Sequence, residues 1–146
     1  MFFLSLSMLT GFYSCNKPNE LFGIWESDDF EIEYKSPALP PYPYSGEELV
    51  LRGKMTLHFK YASGLTVSFN SLELFDRKNN ITYHVSSHSC HPFDEDASYS
   101  YDGKKLTLTF SEYSSFSGQT WTGKVKKTTI DLRAFFGETV VFRQKK

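Results

Sequence analysis

Between residues 49 and 60 the chain reads LVLRGKMTLHFK, an order that no helix accommodates. Leu49, Leu51, Met55, Leu57 and Phe59 fall on every second position with Gly53 in phase, and Val50, Arg52, Lys54, Thr56, His58 and Lys60 alternate with them. A period of two sends successive side chains to opposite faces of a strand, whereas a helix would scatter the same apolar set around its circumference. A strand this long suits a barrel or a strongly twisted sheet, and Gly53 marks a place for it to bend.

The remaining chain reads the same way. Residues 21–25 open the folded part, and Phe30, Ile32 and Tyr34 alternate with Glu31 and Glu33. Ala62, Ser63 and Gly64 supply a turn. Leu65, Val67 and Phe69 then alternate before the phase moves to Leu72 and Leu74, a shift that a β-bulge near Asn70 would produce. A turn at Lys78, Asn79 and Asn80 precedes a short strand with Ile81, Tyr83 and Val85, and residues 86–96 are polar and aperiodic, which predicts a loop. Tyr99 and Tyr101 lead into Asp102-Gly103, a hairpin signal because both residues tolerate positive φ. Leu106, Leu108 and Phe110 follow, then a Ser- and Gly-rich loop over 111–118. Trp121 and Val125 share a strand face. Ile130 and Leu132 are out of phase with them, so a bulge or tight turn is expected around Lys127. Gly137 turns the chain into a last strand with Val140 and Phe142. Residues 36–46 carry four prolines, which exclude a helix and a central strand there.

Nothing in the chain predicts a helix, and 14 Phe and 9 Tyr with many Thr and Val favour sheet. The expected fold is all-β: an antiparallel meander of about eight to ten strands closing into a small barrel, with a β-sandwich as the alternative. Closure removes the pairing edges that a long open sheet exposes. A chain of 146 residues suits one domain. A formal net charge of -1 supplies no basic field for a nucleic acid.

Residues 1–14 read MFFLSLSMLTGFYS, apolar and without a charged side chain, and Cys15 follows before the chain turns polar. The run is too short to span a bilayer and suits the apolar core of a signal peptide. With Ser14 before Cys15 it resembles the lipobox of bacterial lipoproteins, particularly the looser form of Bacteroidetes. That resemblance implies a signal peptide over 1–14, an acylated Cys15 with a tether over 15–20, and a folded domain over 21–146. Two or more acyl chains give stable anchoring where one does not. Cys90 would then be the remaining thiol, which leaves no intrachain disulfide.

Three segments carry a second resemblance: Leu21-Phe22-Gly23-Ile24-Trp25, residues 99–108 (YSYDGKKLTL), and Thr139-Val140-Val141-Phe142-Arg143. In order and spacing they resemble the lipocalin-like lipoproteins of Bacteroidetes. The resemblance implies a barrel whose first-strand Trp25 closes one end, with Gly23 allowing close passage of the chain; Trp25 as an ordinary core aromatic is the alternative. Lipocalins also carry a helix before the last strand, and none is legible here.

Candidate chemistry is sparse. His84, His88, Cys90 and His91 with Asp94, Glu95 and Asp96 offer donors of the kind transition metals take, but their spacing fits no closed zinc module, and a solvated loop is the simpler reading. Glu31 and Glu33 share a strand face, as paired carboxylates of a hydrolase would, and a solvated face again suffices. No nucleophile elbow or phosphate loop is present, so no catalytic residue, metal or cofactor is assigned and an enzymatic role is disfavoured. The expected function is capture of a small hydrophobic or amphipathic ligand, or a glycan, by an envelope-anchored lipoprotein. Leu51, Met55, Phe59 and Phe110 would line the barrel; Tyr42 and Tyr44 on the stiff segment 37–44 would add contacts, the alternative being that this segment is a lid over a barrel end or an unpaired edge. The alternative is a non-catalytic structural component with an envelope protein partner. The anchor at Cys15 would place the domain on a membrane, on the periplasmic side or at the cell surface.

Overall fold

The computed structural model describes residues 20–34, 48–61, 63–84 and 93–146. Ten strands follow in order: β1 (Gly23–Ser27), β2 (Phe30–Glu33), β3 (Leu49–Tyr61), β4 (Gly64–Asp76), β5 (Ile81–His84), β6 (Phe93–Tyr101), β7 (Lys105–Phe110), β8 (Thr120–Val125), β9 (Thr129–Arg133) and β10 (Thr139–Gln144). All pair antiparallel. The order β3-β1-β10-β9-β8-β7-β6-β4 closes through β3–β4 into an eight-stranded barrel, to which β2 and β5 are added. The closed sheet settles the barrel against the sandwich, and its up-and-down meander is consistent with a calycin- or lipocalin-like fold in general.

The long hairpin β3–β4 organises both the barrel and its extension. Lys54 pairs with Ser71 and Met55 with Phe69, so Asn70 is the extra residue of a bulge. Its amide Nδ2 donates to Thr56 Oγ1 at 2.8 Å. The bulge lets Val67 and Phe69 on one side of it, and Leu72 and Leu74 on the other, all reach buried positions. At the same level the chain breaks between β1 and β2, which pair with the two successive halves of β3. Ser27, buried at the break, accepts the Met55 amide on its Oγ at 2.8 Å, so no donor is orphaned there. Gly53 sits where the bulged strand presses closest: a Cβ on it would lie 2.3 Å from the Ser71 carbonyl oxygen.

The barrel has two unlike ends. At the hairpin end lie the turns joining β3 to β4, β6 to β7 and β8 to β9, with the start of β1 and the end of β10. Gly103 adopts φ 95° in the second of these turns, as the Asp-Gly pair predicts. Leu21 and Trp25 are buried here, and the Trp25 indole Nε1 donates to the Leu21 carbonyl at 2.9 Å. Phe59 meets Tyr99 edge-on at 4.9 Å. Trp25 is thus a buried aromatic toward the hairpin end of the barrel. At the loop end lie the 111–119 connection, a 3-10 turn at Phe135–Gly137 and the four-stranded extension β2-β3-β4-β5.

Along the axis, large side chains fill the space between the walls: Trp25, Met55, Leu57, Phe59, Phe69, Trp121 and Phe142 are each at most 2 % exposed. An eight-stranded barrel has an interior just wide enough for side chains to fill, and each such burial stabilises by about 1.5–3 kcal/mol.

Two sequence expectations need amendment. Residues 93–96, expected in a loop, begin β6 and pair with residues 66–69 of β4. Their alternation is genuine, but Glu95 takes an inner-phase position beside Phe93 and Ala97, so the apolar face is interrupted. A short 3-10 turn also precedes β10 where no helical turn was expected. Val85 of the expected fifth strand and the Pro-rich segment lie outside the described residues.

Candidate functional site

The loop end gathers aromatic rings from elements far apart in sequence. Phe69 of β4 stacks on Phe93 of β6 at 4.6 Å and 14°. On the ring of Phe69 also stacks Phe116, from the 111–119 connection, at 5.0 Å and 20°. Trp121 of β8 stands edge-on to Phe110 of β7 at 4.7 Å and to Phe135 of the 3-10 turn at 5.0 Å. Phe135 reaches Phe30 of β2 at 5.7 Å, which ties the extension to the barrel mouth. Pairs of this geometry contribute about 0.5–1.5 kcal/mol beyond their buried area.

Two of these rings are carried on connections rather than strands. Phe116 is held by its backbone: its amide donates to Ser114 Oγ at 3.0 Å, and its carbonyl accepts from the Gln119 amide at 3.0 Å. The Ser115 amide donates to Glu95 Oε1 at 3.2 Å, so the carboxylate that interrupts the inner face of β6 is the anchor of this connection. Phe135 enters from a turn in which Phe136 has φ 54° and Gly137 φ 77°.

The residues expected to bind ligand do not form one group. Leu51, Met55, Phe59 and Phe110 are all buried on the inner face. Leu51 and Met55, opposite Leu74 and Phe69, lie toward the loop end with Phe110, whereas Phe59, opposite Gly23 and Leu65, lies at the hairpin end. Tyr42, Tyr44 and the anchor Cys15 lie outside the described residues, as do His88, Cys90 and His91. Asp94 and Asp96 are exposed on the outer face of β6, and no group of three metal-ligating side chains occurs among the described residues. Glu31 forms an exposed ion pair with Arg77, consistent with a solvated strand face. No helix of the described residues is long and apolar enough to cross a membrane.

Phe116, Trp121 and Phe135 were not singled out as site residues by sequence. One signal was available: Phe116 is a large apolar side chain in a stretch otherwise built of Ser, Gly and polar residues, and such a residue needs a place to bury.

The titratable groups with displaced pKa serve structure. Side-chain and backbone bonds from Asn79, with a further one from the Lys78 amide, hold the Asp76 carboxyl below its ordinary range. The Lys105 and Lys104 amides do the same for Asp102 in the β6–β7 turn. Burial raises Tyr99. Burial and then the Glu20 carboxylate, which accepts its hydroxyl bond, raise Tyr101.

Around the loop end the exposed charge is predominantly acidic, with Asp28, Asp29, Glu31, Glu33, Glu112 and Glu138, although Arg143 pairs with Asp28 and Arg77 with Glu31. A shallow groove of about 370 Å³ at the bulge is lined by Asp29, Glu31 and Glu73 against Arg52 alone. Comparison with protein-family models, with curated proteins and with solved structures finds no match to this chain.

Proposed function

We propose that this protein is an envelope-anchored lipoprotein that holds a small hydrophobic or amphipathic ligand at the loop end of its barrel. The observation that carries the reading is a closed barrel whose mouth is covered by aromatic rings borne on connections, with Phe116 stacked on the strand residue Phe69. A ring fixed on a strand can leave only with the sheet. A ring on a connection can leave by rotation of that connection, and a flat apolar ligand taking its place regains the same stack. Phe116 is only partly buried, so exposing it costs less than the ~1.5–3 kcal/mol of a fully buried ring, and burial of a ligand of similar or larger area offsets that.

The anchor part of the reading rests on Cys15. Glu20, five positions later, bonds to Tyr101 at the hairpin end. Acyl chains on Cys15 would therefore hold the hairpin end toward a bilayer and leave the loop end facing away from it, on the periplasmic side or at the cell surface.

The test is a titration of the full chain with an environment-sensitive naphthylamine probe, alongside solvent extraction and mass spectrometry of protein purified from its native envelope. Saturable probe binding at one site, weakened several-fold in Phe69→Ala, is expected. A chain that neither binds the probe nor carries an extractable apolar molecule would leave the barrel as a filled structural component. Palmitate labelling lost in Cys15→Ala tests the anchor separately.

A further inference from the structure

The net charge of -1 conceals a separation along the barrel axis. Against the predominantly acidic loop end stands a hairpin end with Lys104 in the β6–β7 turn, Lys105 at the start of β7, Lys126 and Lys127 in the β8–β9 turn, and Lys145, paired with Glu26, after β10. The register sharpens this. Lys105 lies directly opposite Lys124 on the outer face, an arrangement of like charges that costs stability in a sheet. Among the described residues the nearby carboxylates are engaged elsewhere. Asp131, the cross-strand partner of Lys124, has its carboxylate engaged by Lys126. Asp102 turns its carboxylate to the Lys104 and Lys105 amides, at 2.9 and 2.7 Å. One row further along, Thr122 faces Arg133, which faces Thr139.

These side chains line an open groove of about 790 Å³ in which five cations, Lys104, Lys105, Lys124, Lys126 and Arg133, meet a single carboxylate. Clustered cations with hydroxyls from Thr122 and Thr139 between them suit an anion with several oxygens, which takes charge-assisted bonds from the ammonium groups and neutral ones from the threonines. Glu20, just before β1, bonds Tyr101 at the end of β6, next to the turn that carries Lys104. Cys15 stands five residues before Glu20, a covalent reach of at most about 18 Å.

We propose that the hairpin end docks on an anionic bilayer, with phosphate groups of lipid head groups seated among Lys104, Lys105, Lys124 and Lys126 in the hairpin-end part of the groove, Arg133 marking its far margin toward the loop end. The inference deepens the anchored reading, since acylated Cys15 would bring this face to the membrane, but the groove would bind the same surface without it.

The full chain carrying Cys15→Ser, which cannot be acylated, is sedimented with vesicles of phosphatidylcholine alone and with vesicles containing phosphatidylglycerol. Any insertion of the apolar residues 1–14 is common to both, so the ratio of the two partition coefficients isolates the charge effect. The expected result is preferential binding to the anionic vesicles that weakens as salt rises. Lys105→Gln/Lys124→Gln should lose about thirtyfold of it, as anionic surfaces attract each lysine near them. Lys54→Gln/Lys78→Gln, the same change of charge toward the loop end, should lose none. Equal binding to both vesicles, or a groove variant that binds like the parent, overturns the proposal even where palmitate labels Cys15. Preferential binding with the groove dependence upholds it even where palmitate does not. Displacement from vesicles by inorganic phosphate at matched ionic strength would assign the groove to the free anion and also overturn it.

Discussion

Glycine in a strand ordinarily weakens it, so replacing Gly53 with alanine should help if the residue were only a flexible point in β3. The chain would gain about 0.4–1 kcal/mol from the narrower unfolded ensemble. The geometry reverses that sign. A Cβ on Gly53 would stand 2.3 Å from the Ser71 carbonyl oxygen, 3.1 Å from the Ser71 carbonyl carbon and 3.2 Å from the Leu72 Cα. The first is roughly 1 Å inside the ~3.5 Å at which non-bonded atoms rest. All three neighbours are backbone, and Gly53 is paired with Leu72 on one side and Phe30 on the other, so neither strand can move alone. Overpacking of this kind costs about 1–3 kcal/mol. The entropic gain offsets part of this, and a net loss of about 1 kcal/mol is expected for Gly53→Ala, or roughly 3–5 °C in Tm. Gly64 is the internal control, since a Cβ there meets nothing within 4 Å, and Gly64→Ala should stabilise by about 0.4–1 kcal/mol. Urea unfolding followed by the emission of Trp25 and Trp121, both buried, gives both values at constant m. A Gly53→Ala chain as stable as the parent would refute the close approach of β3 to the bulge.

Trp25→Phe keeps most of the ring but removes the indole donor, leaving the buried Leu21 carbonyl without its 2.9 Å partner; a loss of about 1–3 kcal/mol in the same urea assay is expected. Asn80 holds φ 54° in the turn before β5, so Asn80→Val should cost about 1–2 kcal/mol while Asn80→Gly stays within about 0.5 kcal/mol. The folded-state pKa values of Asp76 and Asp102 lie below the ordinary value of 3.8. Their contribution is therefore fully present above that value and is lost as pH falls through the lower folded-state values. Urea midpoints measured from about pH 5 downward should drop more steeply for the parent than for Asp76→Asn/Asp102→Asn; parallel curves would contradict the assignment.

Much of the barrel was legible because it obeys a two-residue period over long runs. The alternation through β3, the phase change at Asn70 and the Asp102-Gly103 turn each have one economical structural meaning, and each appears where expected. Closure was inferable only in general terms: the β1–β10 pairing joins residues more than a hundred positions apart, and no local pattern reports it. The start of β6 was lost because Glu95, an inner-phase carboxylate used to hold the Ser115 amide, breaks the apolar run by which a half-buried strand is recognised. The aromatic mouth was lost for a related reason. Phe69, Phe110 and Trp121 read as ordinary core positions of their own strands, and only the fold brings Phe116 and Phe135 onto them. Charge separation escaped too, because a meander alternates its turns between the two ends and so mixes lysine-rich and acidic segments along the sequence.

That separation bears on which amphiphile the mouth would take. The connection that carries Phe116 also carries Glu112, Glu95 holds that connection from β6, and Glu138 follows the turn that presents Phe135. A ligand lying against the rings would leave its head group among carboxylates. Exposed charge contacts of this kind alter affinity by about two- to fivefold each, so two of them give roughly a tenfold preference for a cationic amphiphile over an anionic one of equal chain length. The measurement is displacement of the naphthylamine probe by decyltrimethylammonium and by decyl sulfate at low salt, with neutral decanol as the reference for the apolar part. The preference should shrink toward one as ionic strength rises and the Debye length contracts, and Glu112→Gln/Glu138→Gln should reduce it without changing the affinity for decanol. If decyl sulfate displaces the probe better than decyltrimethylammonium, the head group does not lie among these carboxylates. The apolar ligand would then enter by another route, most simply from the basic hairpin end.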